Sequence, residues 1–208
     1  MKPKVSAVIP AYNEEETIGE VVGRTLRYVD EVIVVDDGSL DKTAEKAHEA
    51  GARVVKLGEN RGILQATVRG FREADGEIIV TLDADGQHNP DEIPRLLEPI
   101  LRDEADLVLG RRPRLPHLSE RILAYLTGLK VPVHDVSTGF RALRRWVAEG
   151  MKLKGSCLCG ILILEAHRLG ARITEVPISI KERRGERRIK TRHIRQLFHV
   201  LLHLMRFW

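Results

Sequence analysis

Cysteine is scarce. The sequence has two, Cys157 and Cys159, and their Cys-x-Cys spacing lacks both the second pair of a structural zinc site and the two-residue spacer of a thiol-redox motif. They read as ordinary thiols of a reducing compartment. No apolar stretch approaches the ~20 residues that cross a bilayer, and the first residues enter a strand-like run without an apolar signal region. The expectation is a cytoplasmic protein, or a peripheral one on the cytoplasmic face of a membrane. Internal repeats, low-complexity segments and a convincing linker are also missing, so the 208 residues are expected to form a single domain. With 31% charged residues and a net charge of only +4, a disordered chain dominated by one sign is excluded. The charge is unevenly placed, with acids concentrated before Asp106 and bases after it, in "GRRPR", "FRALRR" and "KERRGERRIKTR". A basic final third suits an anionic partner, whether a phosphate group, a membrane surface or a nucleic acid; otherwise it is a solvated face.

What is present is an alternation. "VSAVIP", "EVIVVDD", "ARVVKL", "EIIVTLD" and "DLVLG" read as strands. Helix-period segments separate them at 15–28, 42–50, 62–74 and 90–102. Such alternation predicts an α/β fold with a mostly parallel twisted sheet and helices on both faces, whose ligands bind beyond the carboxyl ends of the strands. Polar chemistry sits there: "PAYNEEE" after the first strand, "DDGSLDKT" after the second and "DADGQHNP" after the fourth. The second half is less regular, with helices predicted near 118–129 and 161–169, a strand "ARITEVPISI", and a last helix from 192; "HDVSTGFRALRRW" is left without an assigned element.

Asp83 and Asp85 stand one residue apart where the fourth strand opens, although two close carboxylates disfavour each other's ionisation. Asn89, Pro90, Asp91 and Glu92 already supply the chemistry that starts a helix, so the pair is not needed as a cap. A calcium loop would put glycine sixth from its first aspartate, and Gly86 is fourth. An oxygen-ligand divalent cation remains, which removes the like-charge penalty and itself attracts phosphate. Two enzyme classes use such a site. A haloacid-dehalogenase-type phosphatase has an Asp-x-Asp-Gly loop, and "DADG" matches it; Gln87 does not continue that pattern and no later acidic metal motif follows. The other is a nucleotide-sugar glycosyltransferase, in which the pair holds Mg2+ or Mn2+ against a diphosphate leaving group.

The remaining motifs discriminate between them. "VIPAYNEEETI", "VVDDGSLDKT", "NRG", "LDADGQHNPDEI", "GRR", "DVSTGFRA" and "EVPISIKERRGERR" together resemble the family 2 glycosyltransferases, in the order and spacing of the polyprenyl-phosphate (dolichyl-phosphate) mannose or glucose synthases. The resemblance implies the GT-A fold, a Rossmann-like sheet. It divides the chain into a nucleotide-binding half at 1–110, an acceptor half at 111–190 and a C-terminal amphipathic helix at 191–208. The implied partners are a nucleotide diphosphate sugar such as GDP-mannose or UDP-glucose, a polyprenyl phosphate, a membrane surface and a second copy of the chain, with no nucleic acid.

Residue roles follow by matching position. Pro10, Tyr12, Glu14, Val35 and Asp37 would hold the nucleoside, which agrees with the ability of an aromatic ring to stack and of a carboxylate to accept from base or ribose. Asp83 would contact the sugar or ribose and the metal, with Asp85 and Gln87 as further metal ligands and Ala84 keeping the loop small. Arg112, with Arg183 and Arg188 in the basic loop after "EVPIS", would neutralise the diphosphate; Arg184 or Lys190 are substitutes in a loop one residue shorter than usual. Arg114 and Ser119 lie near where the family binds the acceptor phosphate. A lipid phosphate is already an anionic nucleophile, so direct displacement with inversion needs positioning and electrostatics more than a base. For a hydroxyl acceptor Asp135 is the candidate base, its other reading being a carboxylate bonded to its own turn.

Leu64 and Ile161 depart from the family pattern, the first where a small residue is usual and the second where the helix usually carries an acid. The motif of processive polysaccharide synthases is absent, which favours a single transfer. In the last helix, Ile194, Leu197, Phe198, Leu201, Leu204, Met205 and Trp208 form an apolar stripe opposite Arg195, His199 and Arg206. Such a helix lies on a membrane or packs on its own domain or a second subunit. A haloacid-dehalogenase-like phosphatase and a non-catalytic nucleotide-sugar-binding subunit remain the alternative functions.

Overall fold

Successive residues of a strand face opposite sides of a sheet, and the central strands of this protein bury both. The computed structural model describes residues 2–115, 117–155, 157–181 and 200. Its sheet is built from β1 (Val5–Ala11), β2 (Glu31–Asp36), β3 (Arg53–Lys56), β4 (Ile78–Thr81), β5 (Leu107–Arg111), β6 (Arg141–Arg144) and β7 (Ile173–Pro177). Between them run α1 (Ile18–Thr25), α2 (Thr43–Glu49), α3 (Ile63–Glu73), α4 (Ile93–Leu101), α5 (Leu118–Gly128), α6 (Arg145–Gly150) and α7 (Ile161–Arg168).

Val8, Ile33, Val35, Ile79, Leu107 and Leu109 turn to one face and pack with Leu64 and Phe71 of α3, Leu123 of α5 and the apolar residues of α7. Ala7, Ile9, Val32, Val34, Val80 and Val108 turn to the other, against α1 and α4. α4 shows how the sequence dictates this, because Ile93, Leu96, Leu97 and Ile100 recur at helical spacing and are all buried. A 3-10 turn at Pro90–Glu92 precedes it, and the Asn89 side chain accepts the Asp91 N–H there as the sequence predicts.

The strand order is β3-β2-β1-β4-β6-β5-β7. Strands β3, β2, β1 and β4 are parallel to one another, as is β7 to β5, whereas β6 runs antiparallel to both β4 and β5. This is the expected mostly parallel α/β sheet with helices on both faces. β6 and α6 are additions to the sequence reading; β6 lies within the unassigned "FRALRRW" and α6 begins in it and runs on to Gly150. The order reverses at β1 and β4, whose carboxyl ends carry "PAYNEEE" and "DADG", and a cleft opens at such a switch point. Because β6 is reversed, its amino end lies at that same edge.

Leu64, a departure from the family pattern, is 3% exposed and packs into the core; Ile161 is 0% exposed in the same cluster. The predicted last helix lies outside the described residues except Val200, which is fully buried in that cluster. Among the described residues no helix is long and apolar enough to cross a membrane.

Candidate active site

The loops beyond β1 and β2 are stitched together by short polar contacts. Asn13 N–H donates to Ser39 Oγ at 2.9 Å, Leu40 N–H to Asn13 Oδ1 at 2.8 Å, and Glu14 N–H to Thr43 Oγ1 at 2.7 Å. Gly38 has φ +77°, and a Cβ there would lie 2.6 Å from the Glu59 carbonyl carbon. Only glycine permits both the turn and the close approach of the next loop. The Asp37 carboxylate accepts the N–H groups of Arg61 at 2.7 Å and Gly62 at 2.9 Å, so it anchors the amino end of α3 and its negative charge suits that end of a helix dipole.

These loops form one wall of a cavity of about 310 Å3. Pro10, Tyr12, Glu14 and Asp37 line it on one side, and Asp83, Ala84, Asp85, Gln87 and Arg112 are brought to the same space. Val35 is not: it is 0% exposed and packs beneath α3, because residue 35 points to the face opposite residues 34 and 36. Arg114 lines a separate groove with Arg111, Tyr125 and His134. Ser119 is half-buried in the first turn of α5 and lines neither space. Arg183, Arg188, Arg184 and Lys190 lie outside the described residues.

The loop after β4 is held from behind. Asp83 N–H donates to Nδ1 of His88 at 3.3 Å, and the buried imidazole lies 5.2 Å from the Phe140 ring. Gln87 N–H donates to Asp85 Oδ1 at 3.1 Å, while its side-chain Nε2 donates to the Lys181 carbonyl at 3.2 Å. A Cβ on Gly139 would fall 2.4 Å from both Asp83 carboxylate oxygens. Gly139→Ala should therefore swing that carboxylate away; titration with UDP or GDP in Mn2+ should show at least about a tenfold loss of affinity, or ~1.4 kcal/mol, with a small change in melting temperature.

No group of three His, Cys, Asp or Glu side chains positioned to hold a metal is found among the described residues. Two carboxylates and the Gln87 amide at one cavity are nonetheless a fitting donor set for Mg2+ or Mn2+, which bind through one or two carboxylates and complete their shell with water and substrate phosphate.

Arg112 is fixed differently from what its sequence position implies. Its Nε and Nη2 donate to Asp135 at 2.6 and 2.8 Å, and Nη2 also reaches Glu120 at 3.1 Å and Ser137 Oγ at 3.1 Å. Burial opposes its charge, but Asp135, Glu120 and Asp83 outweigh that and hold the guanidinium above its ordinary pKa. Asp135 accepts from Arg112 N–H and from the Ser137 and Thr138 N–H groups as well. It is 1% exposed and does not line the cavity, which makes it the carboxylate of its own turn and the clamp of Arg112. Glu120, Asn60, His88 and Arg141 are site residues that the sequence reading missed. Asn60, His88 and Arg141 fall inside "NRG", "DADGQHNP" and "DVSTGFRA" without an assigned role, and Glu120 lies in a helix that carries no motif.

A family model described as glycosyl transferase family 2 matches residues 6–121, more than half of the chain. The chain belongs to glycosyl transferase family 2. Over 98% of its length it is 34% identical to a dolichol-phosphate mannosyltransferase of Pyrococcus furiosus, and it covers 63% of that protein. It is 36% identical over 86% of its length to an undecaprenyl-phosphate 4-deoxy-4-formamido-L-arabinose transferase of Pseudomonas fluorescens, of which it covers 58%. The family 2 chain thus spans about three fifths of these relatives' length. Among solved structures, glucosyl-3-phosphoglycerate synthase from Mycobacterium tuberculosis in complex with phosphoglyceric acid superposes with a TM-score of 0.85 at 26% identity, over 97% of this chain and 80% of that one. A second crystal structure of that enzyme, with a TM-score of 0.82 and 28% identity over 97% of this chain and 79% of that one, is a complex with Mn2+, UDP-Glc and phosphoglyceric acid. The mixed sheet of this family 2 protein is accordingly the GT-A fold.

Proposed function

We propose that this chain transfers a hexose, mannose or glucose, from a nucleotide diphosphate sugar to a polyprenyl phosphate, with inversion at the anomeric carbon. The observation that carries this is the convergence of Tyr12, Glu14, Asp83, Asp85 and Arg112 on one cavity at the switch point of the sheet. The lipid-phosphate relatives support the acceptor class. Residues 1–110 form the nucleotide-binding half, 111–190 the acceptor half, and the basic amphipathic segment 191–208 meets a membrane surface from the cytoplasmic side.

Tyr12 offers a ring to stack against the base or ribose, and Glu14 accepts hydrogen bonds from it. Asp37 shapes this wall by holding α3. Asp83, Asp85 and Gln87 would hold Mg2+ or Mn2+, which supplies Lewis-acid stabilisation of the leaving diphosphate. Arg112, oriented by Asp135 and Glu120, keeps a fixed positive charge at the wall shared with the basic groove of Arg111 and Arg114, where an acceptor phosphate is drawn in. Such an acceptor is itself the nucleophile. Asp135, saturated with hydrogen bonds, is then needed for orientation and not as a base.

The test is incubation with GDP-mannose or UDP-glucose, Mn2+ and a short-chain polyprenyl phosphate. Nucleotide should be released only when the lipid phosphate is present. Release with phosphoglyceric acid in its place would move the acceptor to a small phosphorylated acid, and no release with any acceptor would sink the reading.

A further inference from the structure

Arg141, the first residue of β6, is the second arginine at the cavity, and its situation is the reverse of Arg112's. The side chain is 2% exposed and lines the cavity beside Asp83, Gly139, Cys157 and Cys159. Its Nε and Nη1 are buried with no hydrogen-bond partner among the described residues. Burial lowers the pKa of the guanidinium, and Cys159, Asp83 and Asp135 oppose that shift; an arginine keeps its proton at any accessible pH.

Folded proteins rarely leave buried donors unmet, and a buried cation is costly unless an anion is hydrogen-bonded to it. Register explains why this one is retained. Arg141 pairs with Thr81 of β4 and Leu109 of β5, so it sits in mid-sheet at the ligand-binding edge, two residues before the Asp83 carboxylate in the neighbouring strand's continuation. Asp83 acts on it electrostatically, but on the proposed function, on which this inference rests, Asp83 is engaged by a divalent cation when substrate is bound. The countercharge must then come from the ligand.

We propose that Arg141 is a binding residue for a substrate oxyanion brought into the deep end of the cavity. The chemistry is a negatively charged oxygen accepting from Nε–H and Nη1–H. It has two possible sources, the diphosphate of the donor and an acidic substituent on the transferred sugar, as in a uronate. In the second case Arg141 sets donor specificity.

Titration of wild type, Arg141→Met and Arg141→Lys with pyrophosphate, UDP-glucose and UDP-glucuronate tests this, together with melting of the ligand-free proteins. Removing an unmet buried charge should raise the melting temperature of ligand-free Arg141→Met by about 2–4 °C. Affinity for at least one probe should fall about ten- to hundredfold, with Arg141→Lys in between. A loss common to all three probes assigns the diphosphate; a loss confined to UDP-glucuronate assigns the sugar. Unchanged affinities in both variants, an Arg141→Met protein less stable than wild type, or a wild type that binds none of the probes overturns the proposal. Pyrophosphate binding that depends on Arg141 in a protein without transfer activity would sink the proposed function and leave this site standing.

Discussion

Arg112→Met will lower the stability of the folded protein by about 3–5 kcal/mol and its melting temperature by about 6–20 °C, read by circular dichroism. The size follows from what remains. Asp135 and Glu120 are each 1% exposed, and both direct oxygens at the guanidinium. Without it both buried carboxylates lose the guanidinium donors directed at them, Asp135 two and Glu120 one. Removing the whole cluster should cost less than removing its centre, so Arg112→Met combined with Asp135→Asn and Glu120→Gln should recover part of the loss. A single variant that melts within about 2 °C of wild type would show that the cluster is solvated in solution and that Arg112 is held by something else.

Asp85→Ala will leave the fold intact and reduce metal-dependent nucleotide release by about two to three orders of magnitude, since loss of Lewis-acid stabilisation of a leaving group is worth several kcal/mol and each 1.36 kcal/mol is tenfold. A binding readout accompanies the kinetic one. Nucleotide at about 100 times its dissociation constant stabilises wild type by about 2.7 kcal/mol, and that shift should vanish in the variant with Mn2+ and in wild type with a chelator. Equal release by variant and wild type would remove Asp85 from the site. Asp85 is half-buried in a loop and belongs to neither core cluster, which is the reason no large change in stability is expected.

The first half of the chain was legible because its chemistry obeys a rule with a direction. Its parallel strands end in loops at one edge, so motifs found after "VSAVIP", "EVIVVDD" and "EIIVTLD" had to meet. Other parts escaped for physical reasons. β6 is four residues long and opens and closes on arginine, so neither alternation nor apolar content marks it as a strand, and its reversed direction brings its first residue, not its last, to the ligands. Val35 carried a nucleoside role by matching position, whereas its side chain belongs to the core face of β2. Arg112 lay at the matching position, but its clamp is assembled from Asp135, 23 residues away, and from Glu120 within a helix, pairings that only the folded chain displays.

Within the sheet, the parallel strands β3, β2, β1 and β4 meet the reversed β6 in a ladder from Ile78 opposite Arg144 to Thr81 opposite Arg141. Its upper end lies two residues below Asp83. A shift of β6 against β4 would therefore be felt at the Asp83 loop. Substitutions at Ala142 or Leu143 that stiffen or loosen this ladder, though away from the cavity that Arg141 lines, should then tune turnover through the position of that loop.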